Sequence, residues 1–261
     1  MSYRDRARYY MVEYNTEVDQ IFLESLVFPE TTSILEIPAG AGRNLGWLSR
    51  TKKNIVAVDQ EPLMVQQLQE RIDALNIGDR ARAYVGDMRT LSLNTSFDLI
   101  LVPQGGFQLL SSAADVQSAL TAFSRHLSGN GALLVDIATF GKPLQDDIGT
   151  APSYFEWNIP DGVEKYDWTR ELPGGKTLTR YRTQHQYRDS LVVEFRYLVH
   201  RKSIQKTVYA STVRWVKYNY RQAVHYFTSC GLEVRACYRN YERAPYNGSG
   251  SRMIFLLAHS S

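Results

Sequence analysis

Cysteine is scarce: Cys230 and Cys237 are the only two in 261 residues. Two thiols cannot build a disulfide scaffold or a four-ligand zinc site, so a reducing cytoplasm is the expected compartment. Histidine is sparse as well, and His185, His200 and His225 show no metal-ligand spacing; no metal is expected. Long apolar runs are missing. The best, residues 96–103 and 132–138, are strand-sized, well short of the roughly 18 residues needed to cross a bilayer. The opening MSYRDRARYY holds charge and tyrosine but no apolar signal core, so neither secretion nor a membrane partner is expected. With 44% hydrophobic and 22% charged residues, the chain has enough apolar material for a core, which excludes a disordered or fibrous protein.

What is present is unevenly spread. Residues 1–160 hold 13 Lys and Arg against 19 Asp and Glu, whereas residues 161–261 hold 17 against 8. The second stretch also carries 11 of the 17 tyrosines. Tyrosine spaced among arginine suits a ligand-gripping surface, and it equally suits a twisted antiparallel sheet.

The first half alternates short apolar runs with amphipathic stretches, the pattern of βα units and a parallel sheet. Strands are expected at residues 33–38, 54–59, 82–85, 97–102 and 132–137. Helices are expected near 43–50, from Pro62 to Leu75 and from Ala113 to Leu127, the last closed by Gly129 and Gly131. From about Gly149 to Lys217 the period changes to turn-punctuated extended segments, read as roughly four antiparallel strands. A helix over 219–229 capped at Gly231, and strands at 232–238 and 252–258, resume the α/β pattern. The expected domains are a helical lid over residues 1–30, an α/β domain over 31–148 and 218–261, and an antiparallel β lobe over 149–217.

Four elements at strand carboxyl ends carry the chemistry, where open α/β sheets bind ligands. The first is Leu35-Glu36-Ile37-Pro38-Ala39-Gly40-Ala41-Gly42-Arg43-Asn44, a strand entering a Gly-x-Gly turn that lets backbone approach a ligand. A dinucleotide fingerprint would demand a third glycine at position 45, which is Leu45. Glu36 would repel a pyrophosphate and suits a cationic ligand. The second is Asp59, placed to accept from ribose hydroxyls, or else to cap the following helix. The third is Gly86-Asp87-Met88, where Asp87 can accept from an exocyclic amine and Met88 can pack on a purine. The fourth is Pro103-Gln104-Gly105-Gly106-Phe107.

This succession, LEIPAGAGRN, VAVDQEPLMV, VGDMRTL, FDLILVPQGGFQLL and LSGNGALLVDI, resembles the class I S-adenosylmethionine-dependent methyltransferases of the small-molecule type. The resemblance implies a Rossmann-like, doubly wound, seven-stranded mixed sheet with its last strand antiparallel, and the β lobe inserted before the sixth strand. It implies S-adenosylmethionine as donor and S-adenosylhomocysteine as product. Glu36, Pro38, Ala39, Gly40 and Gly42 would line the methionine part, with Pro38 and Ala39 replacing the usual first turn residues. Asp59 would hold the ribose, Gln60 would lie beside the adenine, and Asp87 and Met88 would hold that ring. Pro103, Gln104 and Gly105 would line the methionine side. Tyr9, Tyr10 and Tyr14 resemble an aromatic leader that closes over the donor. The lobe would cover the acceptor or make a homodimer contact.

No motif fixes the acceptor. No Asn-Pro-Pro-Tyr element follows the fourth strand, and no paired catalytic cysteines exist for carbon methylation of pyrimidines. Transfer to N or O of a small-molecule acceptor is expected, as in natural-product tailoring. Substrate-binding candidates are Phe107, Tyr154, Trp157, Arg196, Arg214 and Tyr246; catalytic candidates are Tyr14, Gln108, Arg214 and Tyr246. Glu194 and Tyr197 are further candidates for a base or a dimer contact. The alternatives are an RNA methyltransferase using the basic stretch, a donor-binding protein without turnover, and, more distantly, a nicotinamide-dependent oxidoreductase.

Overall fold

The computed structural model describes residues 6–14, 16–201 and 205–260. Eleven strands form two sheets. The first seven-stranded sheet takes β1 (Ser33–Glu36), β2 (Asn54–Asp59), β3 (Ala81–Val85), β4 (Phe97–Val102), β5 (Leu127–Ala138), β10 (Leu232–Tyr238) and β11 (Arg252–His259). Its order is β3-β2-β1-β4-β5-β11-β10, with β11 antiparallel to both neighbours and the other contacts parallel. The Rossmann-like architecture expected from the sequence is the one observed.

Strands buried on both faces read as continuous apolar runs. In β4, Leu99, Ile100, Leu101 and Val102 are all buried, and so are Ile34 and Leu35 of β1. Each such side chain contributes about 1.5–3 kcal/mol on leaving water. On one face the sheet packs against α5 (Ala113–His126) and α6 (Tyr220–Ser229). The other face packs against α2 (Gln20–Glu24), α3 (Leu45–Leu48) and α4 (Pro62–Ala74). A short α1 (Tyr10–Glu13) precedes them.

Local chemistry sets the helix ends. Pro62 sits in the first turn of α4, and the Glu61 side chain, rather than Asp59, caps it by accepting from the Leu63 amide. Asn219 and Gln222 form a reciprocal capping box at α6, and Gly231 follows its end with φ +73°. Two expectations are corrected. The helix expected over 43–50 is only α3 followed by a 3₁₀ turn at Ser49–Thr51. No glycine caps α5, because the chain passes directly into β5 at Leu127, placing Gly129 and Gly131 inside that strand.

Between β5 and β10 lies a four-stranded antiparallel meander: β6 (Glu164–Leu172), β7 (Lys176–Gln186), β8 (Ser190–Arg201) and β9 (Gln205–Val216). Its inner face buries Leu178, Val193, Phe195, Tyr197, Val213 and Trp215, against which Tyr9, Val12 and Tyr14 pack. Glu13 anchors the N-terminal segment there. Its fully buried carboxylate takes Arg6 at 2.8 Å, Arg180 at 2.6 Å and the Tyr197 hydroxyl at 2.8 Å. Burial opposes the charge of Glu13, yet these partners hold its pKa below the usual carboxylate range.

β1 pairs with β2 on one side and β4 on the other. The strand order reverses there, which opens a crevice at the carboxyl ends.

Candidate functional site

A cavity of about 370 Å³ fills that crevice. Its floor is Glu36–Gly40, Asp59, Gln60, Gly86–Arg89 and Pro103–Gly106; Arg6, Tyr10, Tyr14, Tyr154 and Thr212–Trp215 close it from above.

The first loop is drawn tight by Asp59. One oxygen accepts the Gly40 amide at 2.8 Å and the other accepts the Glu61 amide at 3.0 Å, tying the β1 loop to the start of α4. Gly40 has φ +54°, and an added Cβ would meet the Tyr10 ring at 2.7 Å. That position therefore needs glycine for both backbone and space.

Glu36 is 2% exposed. Its Oε1 accepts from Asn44 Nδ2 at 2.6 Å, while Oε2 has no protein partner. Burial pushes its pKa up to about 7, partly countered by Arg43 and Asn44.

Beneath the methionine-side turn lies a buried polar knot. Gln104, with φ +53°, donates from Nε2 to Asp19 and to the Tyr241 hydroxyl, and accepts from Arg252 Nη2 at 3.1 Å. Arg252 grips both oxygens of Asp136 at 2.9 and 3.0 Å, and the Gln104 amide donates to the same carboxylate. The Arg43 guanidinium clamps Asp19 at 2.6 and 2.7 Å.

At the rim, Arg89 bridges two carboxylates. It binds Asp87 at the end of β3 and reaches Asp115 of α5 at 3.1 Å. The Arg89 contacts hold Asp87 below its ordinary pKa.

The cavity gathers most of the residues named from the motifs: Tyr14, Glu36, Pro38, Ala39, Gly40, Asp59, Gln60, Asp87, Met88, Pro103, Gln104 and Gly105, with Tyr154 and Arg214. The remaining candidates lie elsewhere. Gly42 is buried against Leu45 and Leu68, and Tyr9 packs on Tyr209. Phe107 is fully buried against Tyr218 and Phe227. Gln108 spends its amide on the backbone of Ala138 and Val216, pinning the turn to β5 and β9. Trp157 is exposed in a separate groove beneath Lys142. Arg196 pairs with Glu164 on the outer face of the lobe, and Tyr246 stacks on Tyr220.

Arg6, Thr16, Arg43, Arg89, Asp115 and Trp215 also line the cavity, although no motif marks them as site residues. A signal for Trp215 exists in the alternation of Ser211, Val213 and Trp215, the inward face of β9. Among the described residues, no group of three or more metal-ligating side chains comes together, and no helix is long and apolar enough to cross a membrane.

A family model described as a methyltransferase domain matches residues 34–131, the stretch that builds this floor. The chain carries a methyltransferase domain. Solved structures resemble the chain beyond it. An S-adenosylmethionine-dependent methyltransferase from Clostridium acetobutylicum superposes with TM-score 0.76 at 16% identity, covering 99% of each chain. CalS10, an amino pentose methyltransferase from Micromonospora echinaspora, gives 0.66 at 20% identity over 100% of this chain and 92% of its own. The sugar N-methyltransferase KedS8 from Streptoalloteichus gives 0.69 at 19% identity over 94% and 85%. No curated protein matches by sequence. The methyltransferase domain thus sits in a chain whose whole fold, lobe included, is that of class I S-adenosylmethionine-dependent methyltransferases, as the sequence resemblance implied.

Proposed function

We propose that this protein is an S-adenosylmethionine-dependent methyltransferase whose acceptor is the nitrogen of a small amine. The donor fits the cavity on two observations. Glu36 Oε2, buried and unpartnered on the floor, suits the ammonium of the methionine part. The Gly40 loop offers backbone where a Cβ would not fit. Asp59 then holds ribose hydroxyls, Gln60 lies beside the adenine, and Met88 packs on it. Asp87 takes the exocyclic amine once Arg89 gives way. The donor supplies an electrophilic methyl on a sulfonium sulfur.

The choice of nitrogen is carried by what surrounds the acceptor end. A hydroxyl acceptor needs a base, and the carboxylates there are committed: Asp87 and Asp115 to Arg89, and Asp59 to two amides. No described histidine lines the cavity, and Tyr14 accepts from Arg6 while burial raises its pKa. A neutral amine attacks without a base and releases its proton afterwards, so alignment and exclusion of water suffice. CalS10 and KedS8, which methylate an amino pentose and a sugar nitrogen, support the same choice.

The test is calorimetric titration with S-adenosylmethionine, then a screen of amino sugars and simple amines read by S-adenosylhomocysteine release. Micromolar donor binding is expected, with turnover that rises with pH up to the pKa of the acceptor amine. Absence of donor binding at millimolar concentration would end the methyltransferase reading. Turnover of alcohols but not amines would end the nitrogen assignment.

A further inference from the structure

Burying a polar atom without a partner is costly, so folded chains rarely tolerate it outside functional sites. Among the described residues, only two cavity-lining side chains carry such an atom: Glu36 on the donor floor and Tyr154 in the opposite wall.

Tyr154 is 3% exposed, yet its hydroxyl bonds to nothing in the protein. The ring is fixed. It stacks on Trp215 with centroids 4.2 Å apart and planes 6° from parallel, and Phe140 flanks it. Its loop is pinned to β7, where Arg182 donates to the Ser153 carbonyl at 3.0 Å and Gln184 accepts the Glu156 amide at 3.2 Å. The hydroxyl faces Gly105, and a Cβ added there would lie 2.8 Å from it. It therefore hangs where the methionine-side turn meets the wall formed by Val213 and Trp215 of β9.

We propose that the Tyr154 hydroxyl positions the methyl acceptor, its oxygen accepting an N–H of the amine so that the nitrogen lone pair points at the donor methyl. This rests on the methyltransferase reading above. The N–C bond forms as the S–C bond breaks, the bonding pair stays on sulfur, and the amine proton leaves to solvent. Tyr154 moves no proton in this scheme. Burial raises its pKa well above the ordinary phenol value, so it stays a neutral hydroxyl throughout.

The test compares wild type with Tyr154→Phe, which keeps the ring stack, using S-adenosylhomocysteine and sinefungin as titrants. Sinefungin carries an amino group on the carbon that replaces the sulfur, so it places an N–H where the acceptor meets the methyl. The variant is expected to bind sinefungin about tenfold more weakly and S-adenosylhomocysteine within twofold of wild type. Ligand-free Tyr154→Phe is also expected to melt higher than wild type, because an unpaired buried hydroxyl has been removed. Equal weakening of both ligands would overturn the proposal by assigning the hydroxyl to the methionine end. Unchanged binding of both would overturn it as well, and so would a lower melting temperature, which would mean a structural partner. If wild type binds neither ligand, the donor assignment itself fails and this role falls with it.

Discussion

Gln104 Nε2 donates to Asp19 Oδ2 at 2.9 Å, joining the N-terminal segment to the turn after β4 across 85 positions of chain. The same carboxylate receives the Arg43 guanidinium of the first loop. One buried side chain thus holds three walls of the cavity in register.

Asp19→Ala is therefore expected to leave Arg43 buried without its partner. Breaking one half of a buried ion pair costs about 3–5 kcal/mol, readable as a lower urea midpoint. Donor affinity falls with it, since Arg43 and Gln104 both line the cavity. Acid should mimic the substitution. Burial works against the charge of Asp19, but Arg43 outweighs it and holds the folded pKa below the ordinary value. Its contribution is complete above the unfolded pKa and is lost as pH falls through the folded one. A variant with unchanged urea midpoint and donor affinity would refute this coupling.

Glu36 runs the other way. Its folded pKa is raised to about 7, so protonation favours the ligand-free fold. That contribution is complete below the unfolded pKa near 4.5 and disappears as pH rises through 7. A cationic donor needs the ionised form, so donor affinity should climb between pH 6 and 8 as stability of the free protein declines. Glu36→Gln should flatten both profiles and weaken the donor by about tenfold, about 1.4 kcal/mol. Parallel titrations and melts at each pH check it; an affinity independent of pH would contradict the assignment.

Gly40→Ala tests the cradle directly. The backbone holds φ +54°, and the new methyl would sit 2.7 Å from the Tyr10 ring. Strain at such a position costs about 1–3 kcal/mol. Because α1 carries Tyr10, the expected result is displacement of that segment. It would be seen as increased proteolysis near residue 14, together with a weakened donor. Wild-type protease resistance would show that the ring is not held there.

The fold was largely legible because its strands are either unbroken apolar runs or strict alternations. FDLILV and LEVRACY begin and end where β4 and β10 do. The donor floor was legible because it needs glycine and acid at strand ends, a pattern local in sequence. The acceptor wall was not. It depends on how the lobe docks, and neither Trp157 nor Arg196 carries a local sign that it will face away while Trp215 faces in. Gln108 shows a second kind of blindness. An amide after a ligand turn resembles a site residue, until β5 and β9 arrive to absorb its hydrogen bonds.

Arg89 occupies Asp87, the carboxylate best placed for the adenine amine, so donor entry must displace it. The pair is partly exposed, with side chains 44% and 26% accessible, and such ion pairs contribute about 0–1 kcal/mol. Displacement is accordingly cheap, and Asp115 remains to receive the swung guanidinium. Arg89→Ala should free Asp87 and tighten donor binding by about two- to fivefold, up to about 1 kcal/mol. Asp87→Ala should weaken it. Salt separates the two causes: screening the ion pair should tighten the wild type toward the Arg89→Ala value and leave that variant unmoved. Calorimetry at low and high salt reads both effects. Weaker binding in Arg89→Ala would mean that the guanidinium contacts the donor itself, and its bridge to Asp87 would then be the resting form of a binding residue.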